Sequence, residues 1–183
     1  MKVVAWLGTV CGLLPAAQAI ADEAADMTEQ QIPEGFEKLL SESPFNNLVG
    51  PYYTKLIGNR ISIGLRLGKQ HCNRSGRLHG AMVCALFDST MGNNIGLDVA
   101  RTKDIDQSMY NRSPATAPMA TVSLTTNFLG SAKLGDWVEA TADVRRPGKS
   151  LAFVDAELRR DGDVIANASG VFRVFAQAVD ATG

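Results

Sequence analysis

The stretch that decides the fold is Asn73-Arg-Ser-Gly-Arg-Leu-His79-Gly80-Ala81, running into the apolar segment Leu78–Leu97, LHGAMVCALFDSTMGNNIGL. Met82, Val83, Ala85, Leu86, Phe87, Met91 and Ile95 leave no face of a helix polar, and a helix that is apolar all round is a buried helix. Asp88 is the one carboxylate in it. A carboxylate in such a place needs a role or a partner. Gly, Asn and Asp interrupt the segment too often for a membrane span. The chain must therefore wrap something around this helix, with one acid kept inside or at an internal interface.

Working outward, Ile61, Ile63, Leu65 and Leu67 alternate with period two and read as a strand upstream of the helix. Downstream, the polar stretch Asp98–Pro118 reads as a loop. Four alternating runs follow: Val122, Leu124, Thr126 and Phe128; Val138, Ala140, Ala142 and Val144; Ala152, Val154, Ala156 and Leu158; and Val164 through Val174 at even positions. Leu134-Gly-Asp136, Arg146-Pro-Gly148 and Asp161-Gly162 separate them, the last being a strong hairpin signal. A strand, one long buried helix and a four-strand antiparallel meander bury each other only if the sheet curls around the helix. That is an α+β architecture, the hotdog fold. The small residues Gly80, Ala81, Ala85, Gly92 and Gly96 are expected to let the sheet approach the helix closely. Near the start, Pro33–Leu40 (PEGFEKLL) reads as a short amphipathic helix packed outside, broken by Ser43-Pro44.

Composition narrows the function classes. The 183 residues suit one domain, and 45% apolar content is enough for a real core. A net charge of -1 gives no footprint for nucleic acid. Cys11, Cys72 and Cys84 lack disulfide or zinc spacing, and His71 and His79 are the only histidines, so no metal or other cofactor is expected. His71 and Cys72 read as loop residues without evident partners. Lys2, the apolar run Val3–Leu14 and Ala17-Gln18-Ala19 have the grammar of a secretory signal peptide cleaved after Ala19. The competing reading makes residues 1–26 an upstream extension, with Met27 the true start. Either way they lie outside the fold, which spans 33–175, leaving 176–183 as a tail.

Residues 33–175 resemble hotdog thioesterases of the phenylacetic-acid-pathway (PaaI-type) class, within the 4-hydroxybenzoyl-CoA thioesterase superfamily. The matching pieces are PEGFEKLL…SPFNNLVGPYY, HCNRSGRLHGAMVCALFDSTMG, TVSLTTNFLGSAKLGDWVEATADVRRPGKSLAFVDAEL and VIANASGVFRVF. The spacing of Asn73, His79, Gly80 and Asp88 makes the match specific. It implies that Asn73 orients the thioester carbonyl and that Gly80, after His79, donates its N–H to the carbonyl oxygen. It further implies that Asp88 is general base or nucleophile and that Thr121 positions the water. Two departures stand out: Ala81 replaces a second glycine, which tightens the pocket, and Ser131 replaces a proline in Leu129-Gly-Ser131-Ala132.

Each of these residues also has a plainer reading. Asp88 would be an acid satisfied internally, His79 a ring that fixes its loop, Asn73 a turn former and Thr121 a strand residue. Asn93 and Asn94 would cap the helix end or line an acyl pocket.

The chemistry also stands without the resemblance. Thioester hydrolysis builds negative charge on a carbonyl oxygen, and a helix N-terminus offers free N–H groups and partial positive charge there. Asp88 lies about 12 Å along the helix from Gly80 at 1.5 Å per residue. One helix cannot bring both to one carbonyl, so a homodimer with shared sites is expected, with a dimer of dimers beyond it. Arg145, Arg146 and Lys149, with Ser150, form a basic turn. It is either a solvated hairpin or a clamp for coenzyme A phosphates. The expectation is therefore an acyl-CoA thioesterase acting on an acyl- or aryl-CoA. A hydratase or dehydratase and a non-catalytic acyl-CoA-binding module are the alternatives. A coenzyme A thioester substrate points to the cytoplasm and the Met27 start; an intact signal peptide would point to export.

Overall fold

The computed structural model describes residues 32–41, 43–102, 118–148 and 150–175. The expected N-terminal extension 1–26, most of the expected loop (103–117), Lys149 and the tail 176–183 lie outside the described residues. The chain divides into two compact units, 1–34 and 35–183. All elements below belong to the second.

Among the described residues, seven strands and two α-helices occur in the order β1 (Glu37–Lys38), α1 (Pro44–Val49), β2 (Tyr53–Ile57), β3 (Arg60–Arg66), α2 (Gly80–Thr102), β4 (Met119–Phe128), β5 (Trp137–Pro147), β6 (Leu151–Arg160) and β7 (Asp163–Val174). The strands form one antiparallel sheet in the order β1-β2-β3-β5-β6-β7-β4. The long helix packs on it, giving the α+β hotdog architecture that the sequence pattern implies. Leu86, Phe87 and Met91 of α2 are fully buried against Ile61, Ile63, Leu65, Val138, Ala140 and Leu158 from the sheet. Asp161 and Gly162 both take positive φ in a two-residue hairpin, as their sequence signals.

The sheet departs from the expected meander. β5, β6 and β7 are a three-strand meander, but β4 pairs with β7 at the far edge rather than with β5. Period-two patterning gives each strand its faces but not its neighbours. A bulge at Val122 also breaks the expected face: Thr121 pairs with Phe172 and Ser123 with Val171, leaving Val122 extra and 61% exposed. The bulge rephases the strand, so Thr121 lies on the α2 side together with Leu124 and Thr126.

The PEGFEKLL segment is not a helix. Gly35 turns the chain at φ +82°, Glu37 and Lys38 pair with Thr54 and Tyr53, and the Leu39 N–H bonds the Tyr52 carbonyl. Strand pairing and the Phe36–Trp137 edge contact (5.1 Å between centroids) outweigh a weak local propensity. Ser43-Pro44 starts a helix instead of only ending one: the Ser43 Oγ accepts the Asn46 N–H and Pro44 opens α1. The β2–β3 hairpin over Gly58-Asn59 was not among the expected elements.

α2 continues to Thr102, so residues 98–102 are helical rather than loop. Asn93 and Asn94 accordingly sit inside the helix and do not cap it. Asn94 bonds both the N–H and the C=O of Ile61, each at 2.9 Å, tying α2 to β3. Close approach is not made at Gly92, where a Cβ would find only the Met119 sulfur at 3.7 Å. It is made at Gly170 of β7, where a Cβ would fall 2.5 Å from the Met91 sulfur.

Candidate active site

His79 precedes the first turn of α2. Its Nδ1 accepts the Ala81 N–H at 3.1 Å, which caps the helix and puts the ring proton on Nε2. Its carbonyl takes the Met82 and Val83 N–H groups, and its own N–H is held by the His71 carbonyl at 2.9 Å. The N–H of Gly80, first in the helix, has no intrahelical acceptor and no other among the described residues. Gly80 lines an open cleft of about 270 Å³ with Leu78, Val83, Phe128, Gly130, Ser131 and Ile165. An unclaimed donor at a helix N-terminus, in a mostly apolar cleft, is a place for a developing oxyanion.

Asp88 lies two turns further along, half-buried, and the Thr121 hydroxyl donates to its Oδ1 at 2.5 Å. The expected acid, kept inside or at an internal interface, is thus not enclosed within one chain. Asp88 sits on a stripe of α2, with Ala81, Cys84, Ala85, Ser89 and Gly92, that the chain's own sheet leaves partly uncovered. This stripe follows β4 in the opposite direction. Gly80 sits beside Phe128, Cys84 beside Thr126 (3.7 Å), Asp88 at Thr121 and Gly92 beside Met119. Gly80 and Asp88 therefore stand at different levels of one strand, as the helical rise requires.

Asn73 takes the turn-former geometry. Its Oδ1 accepts the Ser75 N–H (2.9 Å) and the Arg77 N–H (3.2 Å). The loop it shapes docks on residues 131–134 through Leu78 N–H to the Ala132 carbonyl and Leu134 N–H to the Gly76 carbonyl. Ser131, which stands where the resembling family has a proline, accepts from Arg77 at 2.8 Å and forms part of the cleft wall. Ala81 is exposed beside this cleft's helix end.

The basic turn is less uniformly basic than its sequence. Arg145 pairs with Asp155 at 2.9 Å, and Asp155 also accepts from Ser169. The Ser169 hydrogen bond, then Arg145, hold the Asp155 carboxyl below the usual range. Arg146 and Ser150 are exposed at the end of the β5–β6 hairpin. Pro147 pairs with Ala152, Ala152 with Phe172 and Phe172 with Thr121, so the turn lies level with the Asp88 end of β4.

His71 and Cys72 are not free loop residues. His71 is 1% exposed; its Nδ1 accepts the Gly68 N–H and its Nε2 donates to the Val49 carbonyl, both at 2.9 Å. It thereby ties α1 to the turn that leads into α2. Cys72 bridges Leu78, and burial, then Asp136, pushes its thiol upward. The sequence reading gave no role to Asn46 or to Ser89, which follows Asp88 in α2. The Ser89 hydroxyl donates to Asn46 Oδ1 at 3.2 Å, fastening α1 to α2.

Among the described residues no group of side chains is arranged to hold a metal ion, and no helix is long and apolar enough to cross a membrane.

Comparison with known proteins gives the family. A Pseudomonas aeruginosa protein bearing the name "Putative esterase PA0474" is 35% identical over 144 residues, covering 78% of this chain and 97% of its own. Acyl-coenzyme A thioesterase 13 of Mus musculus is 27% identical over 134 residues, covering 72% of this chain and 79% of its own. Among solved structures, the zebra fish thioesterase superfamily member 2 aligns with a TM-score of 0.58 at 26% identity, over 73% of this chain and 89% of that one. The E. coli PaaI protein from the phenylacetic acid degradation operon aligns with a TM-score of 0.57 at 17% identity, over 87% and 95%. Residues 75–166, which hold the Gly80 cleft and the Asp88–Thr121 pair, match the family model, and the chain belongs to the thioesterase superfamily.

Proposed function

We propose that this protein hydrolyses an acyl- or aryl-CoA thioester to the free acid and coenzyme A, at sites shared between two copies of the chain. The observation that carries this is the placement of an unclaimed Gly80 amide and the hydroxyl-bonded Asp88 carboxylate at separate levels of β4. The name of the mouse relative, an acyl-coenzyme A thioesterase, is in keeping with the substrate class.

The chemistry follows from the groups present. The Gly80 N–H receives the charge that develops on the carbonyl oxygen, an interaction worth about 3–4 kcal/mol in comparable sites. Asp88 either takes a proton from water as the water oxygen attacks the carbonyl carbon, or attacks that carbon itself and is released by water. In both routes the carbon–sulfur bond breaks and the thiolate leaves as coenzyme A. Thr121 orients the carboxylate. Asn73 would reach the same carbonyl with its amide nitrogen, since its oxygen is spent on the turn. His79 acts through the loop and the cap, because its Nδ1 is engaged; that argues against a hydratase in which this ring is the base. Ala81 borders the thioester. Arg146, Lys149 and Ser150 would meet the nucleotide phosphates, leaving Arg145 to its ion pair.

A second copy completes the site. β4 is an edge strand, and Val122 and Phe128 in it and Leu129 just after it are 57–61% exposed, which invites pairing. An antiparallel pairing of β4 with itself, centred near Leu124, exchanges the two ends and sets Asp88 of one copy beside Gly80 of the other. A dimer of dimers extends this assembly. The substrate class favours the cytoplasm.

The test is Asp88→Asn, which keeps the acceptor for Thr121 and removes the base. Turnover of an acyl-CoA panel should fall by about 100-fold or more with an unchanged thermal midpoint. Near-normal hydrolysis would remove Asp88 from the reaction.

A further inference from the structure

The hairpin that leads into α2 closes through the Cys72–Leu78 bridge and the Asn73–Gly76 turn, and Arg77 pairs across to Lys133 in a second antiparallel bridge. Two cations therefore stand directly opposite each other, an arrangement that repels in a β-ladder. Arg74, in the turn itself, adds a third cation, and all three residues are exposed. Elsewhere in the sheet arginines are neutralised: Arg60, Arg145 and Arg159 hold Asp143, Asp155 and Glu157 at 2.7, 2.9 and 2.6 Å. Arg74, Arg77 and Lys133 join no ion pair among the described residues. Asp136 is already engaged, its Oδ2 accepting the Lys133 N–H at 2.9 Å and facing Arg160 at 3.7 Å. In a chain of net charge -1, three cations are gathered here without a counter-charge of their own.

Their position indicates one. Arg77 Nη1 donates to Ser131 Oγ at 2.8 Å, and Ser131 shares the wall of the cleft with Gly80. The cluster thus lies at the rim of the cleft into which the unclaimed Gly80 amide faces. Leu78, Val83, Phe128 and Ile165 make the rest of that wall largely apolar. A ligand that seats an uncharged carbonyl in the cleft and carries several negative charges at a solvent-facing end meets both surfaces at once. Guanidinium and ammonium groups suit phosphate oxygens.

We propose that Arg74, Arg77 and Lys133 form a phosphate-binding rim at the Gly80 cleft, which takes the phosphates of the coenzyme A leaving group. The inference rests on the reading of Gly80 as donor to the thioester carbonyl. In the two-fold assembly the copy that gives Gly80 brings this rim, and the copy that gives Asp88 brings the β5–β6 turn. One nucleotide then meets cations from both copies. Exposed cations at the mouth of a cleft also draw an anionic substrate in before it docks.

The experiment compares wild type, the double variant Arg74→Gln with Lys133→Gln, and Asp88→Asn, all in the full chain. The double variant leaves the Arg77–Ser131 bond in place. Each protein is given the same acyl group on coenzyme A and on N-acetylcysteamine, a thioester without phosphates. The preference in kcat/KM for the coenzyme A ester should fall about tenfold in the double variant, through KM, because such contacts bind ground and transition states alike. Calorimetric binding of adenosine 3′,5′-bisphosphate should weaken in parallel, and both effects should shrink at high salt. The thermal midpoint should hold or rise, since a repulsion is relieved. A preference within about twofold of wild type would make the cluster a solvated face, and overturn the rim while the reading of Gly80 and Asp88 stands. An equal loss on both esters would overturn it as well, because the cations would then serve the acyl half or the fold. If Asp88→Asn hydrolyses both esters as wild type does, the thioesterase reading of Asp88 fails, and the bisphosphate affinity alone decides for or against the rim.

Discussion

His71 spends both ring nitrogens on the backbone, accepting from Gly68 and donating to Val49. Only the neutral ring can do both. Burial holds its pKa below the ordinary value near 6.5, against the pull of the backbone carbonyls. The folded protein therefore binds this proton less readily than the unfolded chain, and the stabilisation is complete above about pH 6.5 and lost as pH falls through the lowered pKa. The thermal midpoint should drop between pH 7 and pH 5. His71→Gln should lower the midpoint at pH 7 and flatten that dependence; an equally steep profile in the variant would assign the loss to other groups. This role was hidden in the sequence because Val49 lies 22 positions upstream. Asp88 was legible for the opposite reason: a lone carboxylate in an apolar helix is conspicuous without any partner.

Among the elements, α2 and the Asp161-Gly162 hairpin were readable because their signals are local: unbroken apolar composition, and two residues suited to positive φ. The order of the strands was not, since β4 alternates as β5 does and nothing in that pattern says which strand lies beside it. The Val122 bulge follows from pairing with β7 and was equally silent, although it decides which way Thr121 points. β1 shows tertiary context at work, because PEGFEKLL has a helical pattern until Phe36 packs on Trp137. That indole lies flat over β3 only because position 64 lacks a side chain. A Cβ on Gly64 would fall 2.0 Å from the Trp137 ring. The ring is also flanked by Tyr53 and Arg66, at 5.9 and 5.3 Å. Gly64→Ala should destabilise the protein by about 1–3 kcal/mol, as overpacking does. Denaturant unfolding with an unchanged slope would read this directly. A loss below about 0.3 kcal/mol would mean that the indole swings aside freely.

At the scale of the whole molecule, the helix and its companion strand impose a constraint that no side chain can relieve. Eight residues separate Gly80 from Asp88, about 12 Å of helix, and their neighbours in β4, Phe128 and Thr121, are apart as well. On the proposed reading, a single chain carries two half-sites at different levels of one edge, and a two-fold axis across that edge would join them into two whole ones. This makes a sharp genetic test possible. Gly80→Pro removes only the N–H, because proline is tolerated at the first position of a helix, and a Cβ there meets the Phe128 ring at an ordinary 3.4 Å. Gly80→Pro and Asp88→Asn should each be nearly inactive alone. After verified subunit exchange, half of the dimers pair one variant with the other. Each such dimer holds one site with both defects and one with neither. Activity should therefore recover to about one quarter of wild type if the assembly is a symmetric, isologous dimer. A mixture that stays inactive would show that both groups serve a site within one chain, and the shared-site assembly would have to be abandoned.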